Sequence, residues 1–456
     1  MAALAGMLKS AGYHVTGSDA NVYPPMSEVL KQQGIFYAEG YRPENLDSDT
    51  DLVIIGNAVS KTNPEVQAVL DRKLPYRSLP QALTEFFLSG RVPIVVAGTH
   101  GKTTTSALMA WVLDRAGLDP GFLIGGWVKN FQSNSRRGTG KYFVVEGDEY
   151  DTAFFDKGPK FLHYRPQAAI LTSIELDHAD IYSDLSQIKK AFSSFVQLIP
   201  QEGLLVAVHD DPHVHEILAH ASCPVETYGL NDKAAWTARS VEFSGEGVTF
   251  EAWNESKSIG RFYSPLPGRH NLLNTLSVIA LAVRLGIPVE AIRSALAAFQ
   301  GVKRRQEVLG VVGGVTVMDD FAHHPTAIRE TLSALRLRYP RQRLWAIFEP
   351  RSATSRRRVF QNEFPKAFHE ADRVIIADLF APEKIPVEQR LDPRRVVADL
   401  VAAGLRARFI PTADGILEAM MPELCAEDVI CIMSSGGFGG LHTKLLSALE
   451  EKHRES

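Results

Sequence analysis

Cysteine is scarce, positive charge is not in excess and no long apolar run occurs, and each absence removes a class of protein. Three cysteines in 456 residues, Cys223, Cys425 and Cys431, form neither a CxxC pair nor an even framework. A disulfide scaffold and a zinc site are therefore not expected, and the thiols read as buried and free in a reducing compartment. The formal net charge is -4, and no basic stretch is denser than Arg356-Arg357-Arg358. That leaves no field able to hold a nucleic-acid backbone, so no nucleic-acid partner is expected and any polyanionic ligand must be bound locally. Nothing apolar reaches the roughly 18 to 20 residues of a spanning helix. The opening MAALAGMLKSAGYHVTGSD also lacks a basic region followed by a cleavage site, so the expectation is no membrane association and a cytoplasmic location.

What is present is ordinary globular composition, with 45% hydrophobic and 22% charged residues. At roughly 150 residues per domain the length predicts three domains. Residues 2–9 read as a helix stopped at Gly12, Tyr13 to Thr16 as a strand, and DLVIIGNAVS as a buried strand ending in a turn, so the first domain is placed at 1–88. From 89 to 301, VPIVVAGTHGKTTTSALMAWVLDRAG reads as strand, glycine loop and helix. YFVVEGDE, AAILTSIE and GLLVAVHD follow as further strands of a mainly parallel sheet. WTARSVEF, GVTFEAW and SIGRFY then alternate as a small antiparallel patch. From 302 to 456, VTVMDDFAHHPTAI, LWAIFEP, RVIIADL and VICIMSSGGFGG repeat the strand-turn-helix rhythm of a doubly wound α/β domain.

The sharpest local signal is Gly98-Thr99-His100-Gly101-Lys102-Thr103-Thr104-Thr105. Backbone amides at a helix N-terminus can surround phosphate oxygens, Lys102 can reach the outer phosphates, and the Thr103 hydroxyl can ligate magnesium. Val96 stands where the generic GxxxxGK[ST] pattern has its first glycine. Next, Glu146, Asp148, Glu149 and Asp151 crowd one strand end. Four acids there repel unless a cation sits among them, or unless they form a solvated turn. His178, closing IELDH, lies at a carboxyl edge where α/β sheets bind ligands, although a structural histidine fits the pattern equally well. Gly268-Arg269-His270-Asn271, with Asn274 a turn on, suits an adenine edge, while spacing alone favours Asn271 as a helix cap. The pairs Arg304-Arg305, Asp319-Asp320 and His323-His324 read singly as exposed polar turns. Arg351 follows an apolar strand, where it can bind a carboxylate, pair with Glu349 or face solvent.

Taken together, these residues resemble the Mur ligase family across essentially the whole chain: a GTxGKT loop, an acidic strand end, a DH pair and a GxHN segment. NVYPPMS, DEYDTAFFDKGPKFLHYRP, FAHHPTAI, EPRS and MSSGGFGGLH resemble the branch that attaches L-alanyl-γ-D-glutamyl-meso-diaminopimelate to UDP-N-acetylmuramate during cell-wall recycling. The resemblance implies three α/β domains. The first is Rossmann-like and binds the UDP-sugar, but its first strand and glycine-rich turn are expected ahead of Met1. The second is a P-loop ATPase-like sheet, and the third a Rossmann-like domain that closes on ATP and takes the acceptor peptide.

It also implies roles. ATP would meet Gly98, Thr99, His100, Gly101, Lys102, Thr103 and Thr104, with His270, Asn271 and Asn274 at adenine and Arg305 and Asp320 at its phosphates or ribose. Magnesium would be held by Thr103, Glu146 and His178, and Lys102, Glu146 and His178 would form the catalytic set. Ser18, Asp19, Asn57, Glu149, Tyr150, His323, His324 and Arg351 would contact the UDP-sugar or the tripeptide. The implied reaction runs through an acyl phosphate in a monomer or weak homodimer. The alternatives are free L-alanine as acceptor, and a binding protein that has lost catalysis.

Overall fold

The computed structural model describes residues 1–22 and 26–455, so Tyr23, Pro24 and Pro25 of NVYPPMS lie outside the described residues. The chain falls into two compact units. One comprises Met1–Glu175, Ser186–Thr237 and Leu276–Ala295, the other Leu176–Leu185, Ala238–Thr275 and Leu296–Ser456.

In the first unit the opening helix runs Ala2–Ser10. The strand expected at Tyr13 begins instead at Thr16 and ends at Asp19. The physical reason is the helix stop: Gly12 adopts φ 97°, and Tyr13 N–H bonds back to Leu8 O at 3.2 Å, so it is not available to a ladder. Thr16–Asp19 pairs in parallel with Phe36–Glu39, and Val53–Ile55 with Tyr76–Ser78, as two separate ladders. Helix Pro64–Asp71 starts cleanly because Asn63 Oδ1 accepts from the N–H groups of Glu65 and Val66 and proline takes the first helical position.

Six parallel strands follow in the spatial order Val225–Gly229, Leu204–Val208, Ala168–Leu171, Val92–Ala97, Tyr142–Gly147 and Gly121–Val128, with Ser133–Arg136 antiparallel at the edge. Tyr142–Gly147 and Ala168–Leu171 are buried throughout, which is why their sequences are unbroken apolar runs. Trp236–Ser244 joins in parallel beside Val225–Gly229.

In the second unit Gly247–Asn254 and Lys257–Ser264 form the expected antiparallel patch, with Phe250 opposite Phe262. The C-terminal sheet has the order Glu307–Val312, Val315–Asp320, Val429–Met433, Leu344–Phe348, Arg373–Ile376 and Arg406–Phe409, parallel except for its first strand. Alternation along each strand feeds two cores: Met318 and Phe348 pack with Leu332 and Phe364, whereas Val317 and Ile347 pack with Leu441, Leu445 and Leu449. The last three recur every fourth residue on one helix, and burying each contributes about 1.5–3 kcal/mol.

Among the described residues no helix is long and apolar enough to cross a membrane. The three thiols are free, but one expectation needs correction: Cys425 is exposed, and only Cys223 and Cys431 are buried. Cys425 lies in the irregular turn before Val429–Met433, where no sheet covers it.

Candidate active site

The glycine loop between strand Val92–Ala97 and helix Lys102–Arg115 enters the helix through Gly101, whose φ of 80° is left-handed and suits glycine. A side chain at Gly98 would put its Cβ 2.2 Å from Thr172 Oγ1, so this close approach also requires glycine. The loop is stitched to the neighbouring strand end. Thr99 N–H donates to Ser173 O at 2.9 Å, His100 N–H to Ser173 Oγ at 3.0 Å, and His100 Nε2 lies 3.3 Å from Glu175 Oε2.

Lys102 turns back over this loop, 2.6 Å from Gly98 O and 2.9 Å from Glu149 Oε2. Burial alone would lower the ammonium's pKa, but the carboxylates of Glu149, Asp148 and Glu146 outweigh it and hold the pKa above its ordinary value. Thr103 Oγ1 donates to Glu146 Oε2 at 3.1 Å. The parallel register that sets Val96 against Glu146 brings the acidic strand end beside the loop. Gly125 N–H donates to the other Glu146 oxygen at 2.6 Å. Thr103 and Glu146 are thus paired hard oxygen donors, a set that fits magnesium. Thr104 is buried one position on.

The acids are not a solvated turn: Glu146 and Glu149 are buried. Asp148 is half-buried and paired with Lys160 at 3.1 Å. Burial would raise its pKa, yet Lys160 and then Lys102 hold it below the usual range. The Tyr150 hydroxyl donates to Asp148, and burial first, then that carboxylate, push the phenol well up. Lys160 lies 4.1 Å from the Tyr150 ring centroid. This lysine was missed by sequence reasoning although it stands in the quoted DKGPKF stretch, because nothing local pairs it with Asp148 twelve residues earlier.

Ser18 and Asp19 end one parallel ladder, and Asn57 lies exposed in the turn after Val53–Ile55. The Ser18 hydroxyl donates to Glu65, which also accepts from Asn45 Nδ2 at 2.5 Å and Arg42 N–H at 3.1 Å. Glu65, unmarked by any motif, gathers these loops.

In the second unit Asn271 is not a cap. It sits inside helix Arg269–Arg284, where its amide donates to Pro267 O at 2.8 Å, and Asn274 Nδ2 lies 3.4 Å from its oxygen. His270 Nε2 is 3.3 Å from Gln306 Nε2, whose backbone N–H donates to Asp320 Oδ2 at 2.7 Å. Burial raises the Asp320 pKa, with Arg305 offsetting only part. The Arg305 guanidinium stands 4.8 Å from the Phe321 ring centroid. The proposed adenine and phosphate residues of this unit are therefore neighbours. The polar-turn readings are corrected, since Asp319, Asp320 and His324 are buried. The aspartates end an interior strand, with Arg304 Nε 3.0 Å from Asp319.

His178 adopts φ 52°. Beside it Asp177 is buried, which would raise its carboxyl; His178, His323 and His324 instead hold it far below the usual range. His323 Nδ1 lies 2.9 Å from Phe321 O. Arg351 is 3.5 Å from Glu349 Oε1 and stacks 3.5 Å from the Phe380 ring centroid. Phe380 is distant in sequence, and no local signal marks it. A Cβ at Gly436 would fall 1.9 Å from Arg351 Nε. Gly436→Ala must therefore displace the guanidinium.

Residues 1–91 match the Mur ligase family catalytic domain, 96–282 the Mur ligase middle domain, and 304–436 the Mur ligase glutamate ligase domain. The UDP-N-acetylmuramate–L-alanyl-γ-D-glutamyl-meso-2,6-diaminoheptandioate ligase of Escherichia coli strain K12 is 40% identical over 99% of this chain and 96% of its own length. A UDP-N-acetylmuramate–L-alanine ligase from Alkaliphilus metalliredigens is 34% identical, covering 96% and 92%. The crystal structure of a murein peptide ligase from Psychrobacter arcticus superposes with TM-score 0.74 at 36% identity over 99% of this chain and 96% of that one. That of a UDP-N-acetylmuramate–alanine ligase from Thermotoga maritima, 23% identical, shares the fold with TM-score 0.82 over 99% and 97%. The chain belongs to the Mur ligase family.

Proposed function

We propose that this chain uses ATP to join the lactyl carboxylate of UDP-N-acetylmuramate to the alanine amine of L-alanyl-γ-D-glutamyl-meso-diaminopimelate. The observation that carries the reading is the phosphate loop, in which Lys102 and the Thr103–Glu146 pair converge at one strand edge. The 40% identity with an enzyme of that name over 99% of the chain supports the tripeptide as acceptor. Substrate-dependent ADP release tests it: omitting either the sugar nucleotide or the acceptor must stop sustained turnover.

The carboxylate oxygen attacks the γ-phosphorus and ADP leaves. The peptide amine then attacks the acyl carbon, losing a proton, and inorganic phosphate departs with the C–O electron pair. This chain's share is positioning and charge neutralisation, with no side-chain nucleophile. Lys102 offsets charge on the phosphoryl oxygens as they transfer. Thr103, Glu146 and His178 would hold magnesium, which when bound shields the triphosphate charge. His270, Asn271 and Asn274 would take adenine, Arg305 and Asp320 the ribose or phosphates, and Ser18, Asp19 and Asn57 the UDP-sugar. Glu149 and Tyr150 would act near the sugar nucleotide, and His323, His324 and Arg351 on the acceptor side. Domain limits at 88 and 302, cytoplasmic location and a monomer or weak homodimer belong to the same proposal.

Glu146→Gln and His178→Ala are expected to raise the magnesium concentration needed for half-maximal ADP release while leaving the melting temperature nearly unchanged. Superimposable magnesium titrations would remove both residues from the metal site.

A further inference from the structure

The DH loop is held by a residue that no motif marks. Thr354, 3% exposed, stands in the turn after Arg351. Ser355 N–H donates to Ser352 Oγ there at 3.0 Å, and Arg357 N–H to Thr354 O at 2.9 Å. The Thr354 hydroxyl oxygen accepts from Ala179 N–H at 3.2 Å, and its proton is donated to the Asp177 carboxylate. Asp177 Oδ1 in turn accepts from His178 N–H at 2.7 Å. On the other flank His324 Nδ1 accepts from Thr326 N–H at 3.2 Å. Its Nε2 must then carry the proton, and it lies 3.2 Å from Leu176 O.

Residues 176, 177 and 179 are therefore all tethered, and His178 sits among them at φ 52°. A non-glycine residue in that left-handed region is strained and persists only where its surroundings impose it. Two tethers converge on one hydroxyl, because only an atom that both donates and accepts can satisfy Asp177 and Ala179 together.

Resting on the reading of His178 as a magnesium-site residue, we propose that Thr354 is the positioning residue of that histidine: its hydroxyl sets the main chain that presents the imidazole, and ties it to the turn that carries Arg351. Hydrogen-bond partners standing behind a metal ligand commonly govern affinity by about 10–100-fold. The effect here should appear in metal binding itself, apart from turnover.

The test uses the full chain with ADP and manganese as a paramagnetic probe, free Mn²⁺ being read by electron paramagnetic resonance. Thr354→Val keeps shape and loses the hydroxyl, Thr354→Ala loses both, and Thr354→Ser keeps the hydroxyl. The expected result is Mn²⁺ binding weakened roughly tenfold in the Val and Ala variants, near wild type in the Ser variant, and no weaker in His178→Ala/Thr354→Val than in His178→Ala alone. Normal binding by Thr354→Val beside weakened binding by His178→Ala would overturn the positioning role and leave the His178 reading standing. Normal binding by His178→Ala would sink both. Equal weakening by Ser and Val would make Thr354 a packing residue, and failure of both hydroxyl-free variants to fold while Ser folds would make its hydroxyl a requirement of the whole fold; either outcome overturns the proposal.

Discussion

Lys102→Ala is expected to lower substrate-dependent ADP release by roughly three orders of magnitude or more, the scale set by cations that stabilise transferring phosphoryl groups. The ammonium is aimed by the loop itself, 2.6 Å from Gly98 O and 3.4 Å from Thr99 O, and the surrounding carboxylates keep it charged at neutral pH. Alanine there also removes the ammonium that pairs with Glu149, which is 2% exposed. Breaking one side of a buried pair costs about 3–5 kcal/mol, so the variant should melt earlier as well. Lys102→Ala/Glu149→Gln separates the two effects. It should recover melting temperature, because the buried carboxylate that lost its ammonium is gone, and should remain as inactive as the single variant. Recovery of turnover in the double variant would mean that Lys102 serves only to neutralise Glu149, and the phosphate-loop assignment would fall.

The second large effect concerns the acceptor. L-Alanyl-γ-D-glutamyl-meso-diaminopimelate should give a far higher kcat/KM than L-alanine in ADP release, and Arg351→Ala should narrow that gap by damaging peptide use most. A tripeptide brings carboxylates that free alanine lacks, and a planar guanidinium can grip one with two parallel hydrogen bonds. Arg351 is already braced for such a role by the Phe380 face and by the close approach of Gly436. Glu349, 3.5 Å away, opposes an incoming carboxylate; it accepts from Ser434 Oγ at 2.5 Å, which steadies that charge. A preference for L-alanine would remove the tripeptide from the reading and leave the acyl-phosphate chemistry intact.

Much of the first unit could be read in advance because its signals are local. A buried parallel strand must be apolar, a phosphate loop must bring glycine, lysine and a hydroxyl within a few residues, and a small antiparallel patch must alternate. Val92–Ala97 and Lys102–Arg115 follow from those rules, as does the antiparallel pair Gly247–Asn254 and Lys257–Ser264 of the second unit. Local rules also failed in identifiable ways. Tyr13 left the strand because its N–H closed a helix. Asn271, cap-like by spacing, entered the helix and turned its amide to Pro267.

The amino-acid sequence by itself thus determined the fold class, the strand-loop-helix unit at 92–115 and the set of acids near it, since period, glycine placement and charge act within one or two turns of chain. Only the tertiary structure decided which acid meets which partner. Parallel register set Glu146 beside Thr103, and burial turned a solvated-looking cluster into the Lys102–Glu149 and Lys160–Asp148 pairs. Chain folding carried Thr354 to a loop 175 residues earlier and Phe380 under Arg351. Such pairings join residues far apart in sequence, where no spacing rule operates, and their energies depend on the water excluded around them, a property of the packed molecule alone.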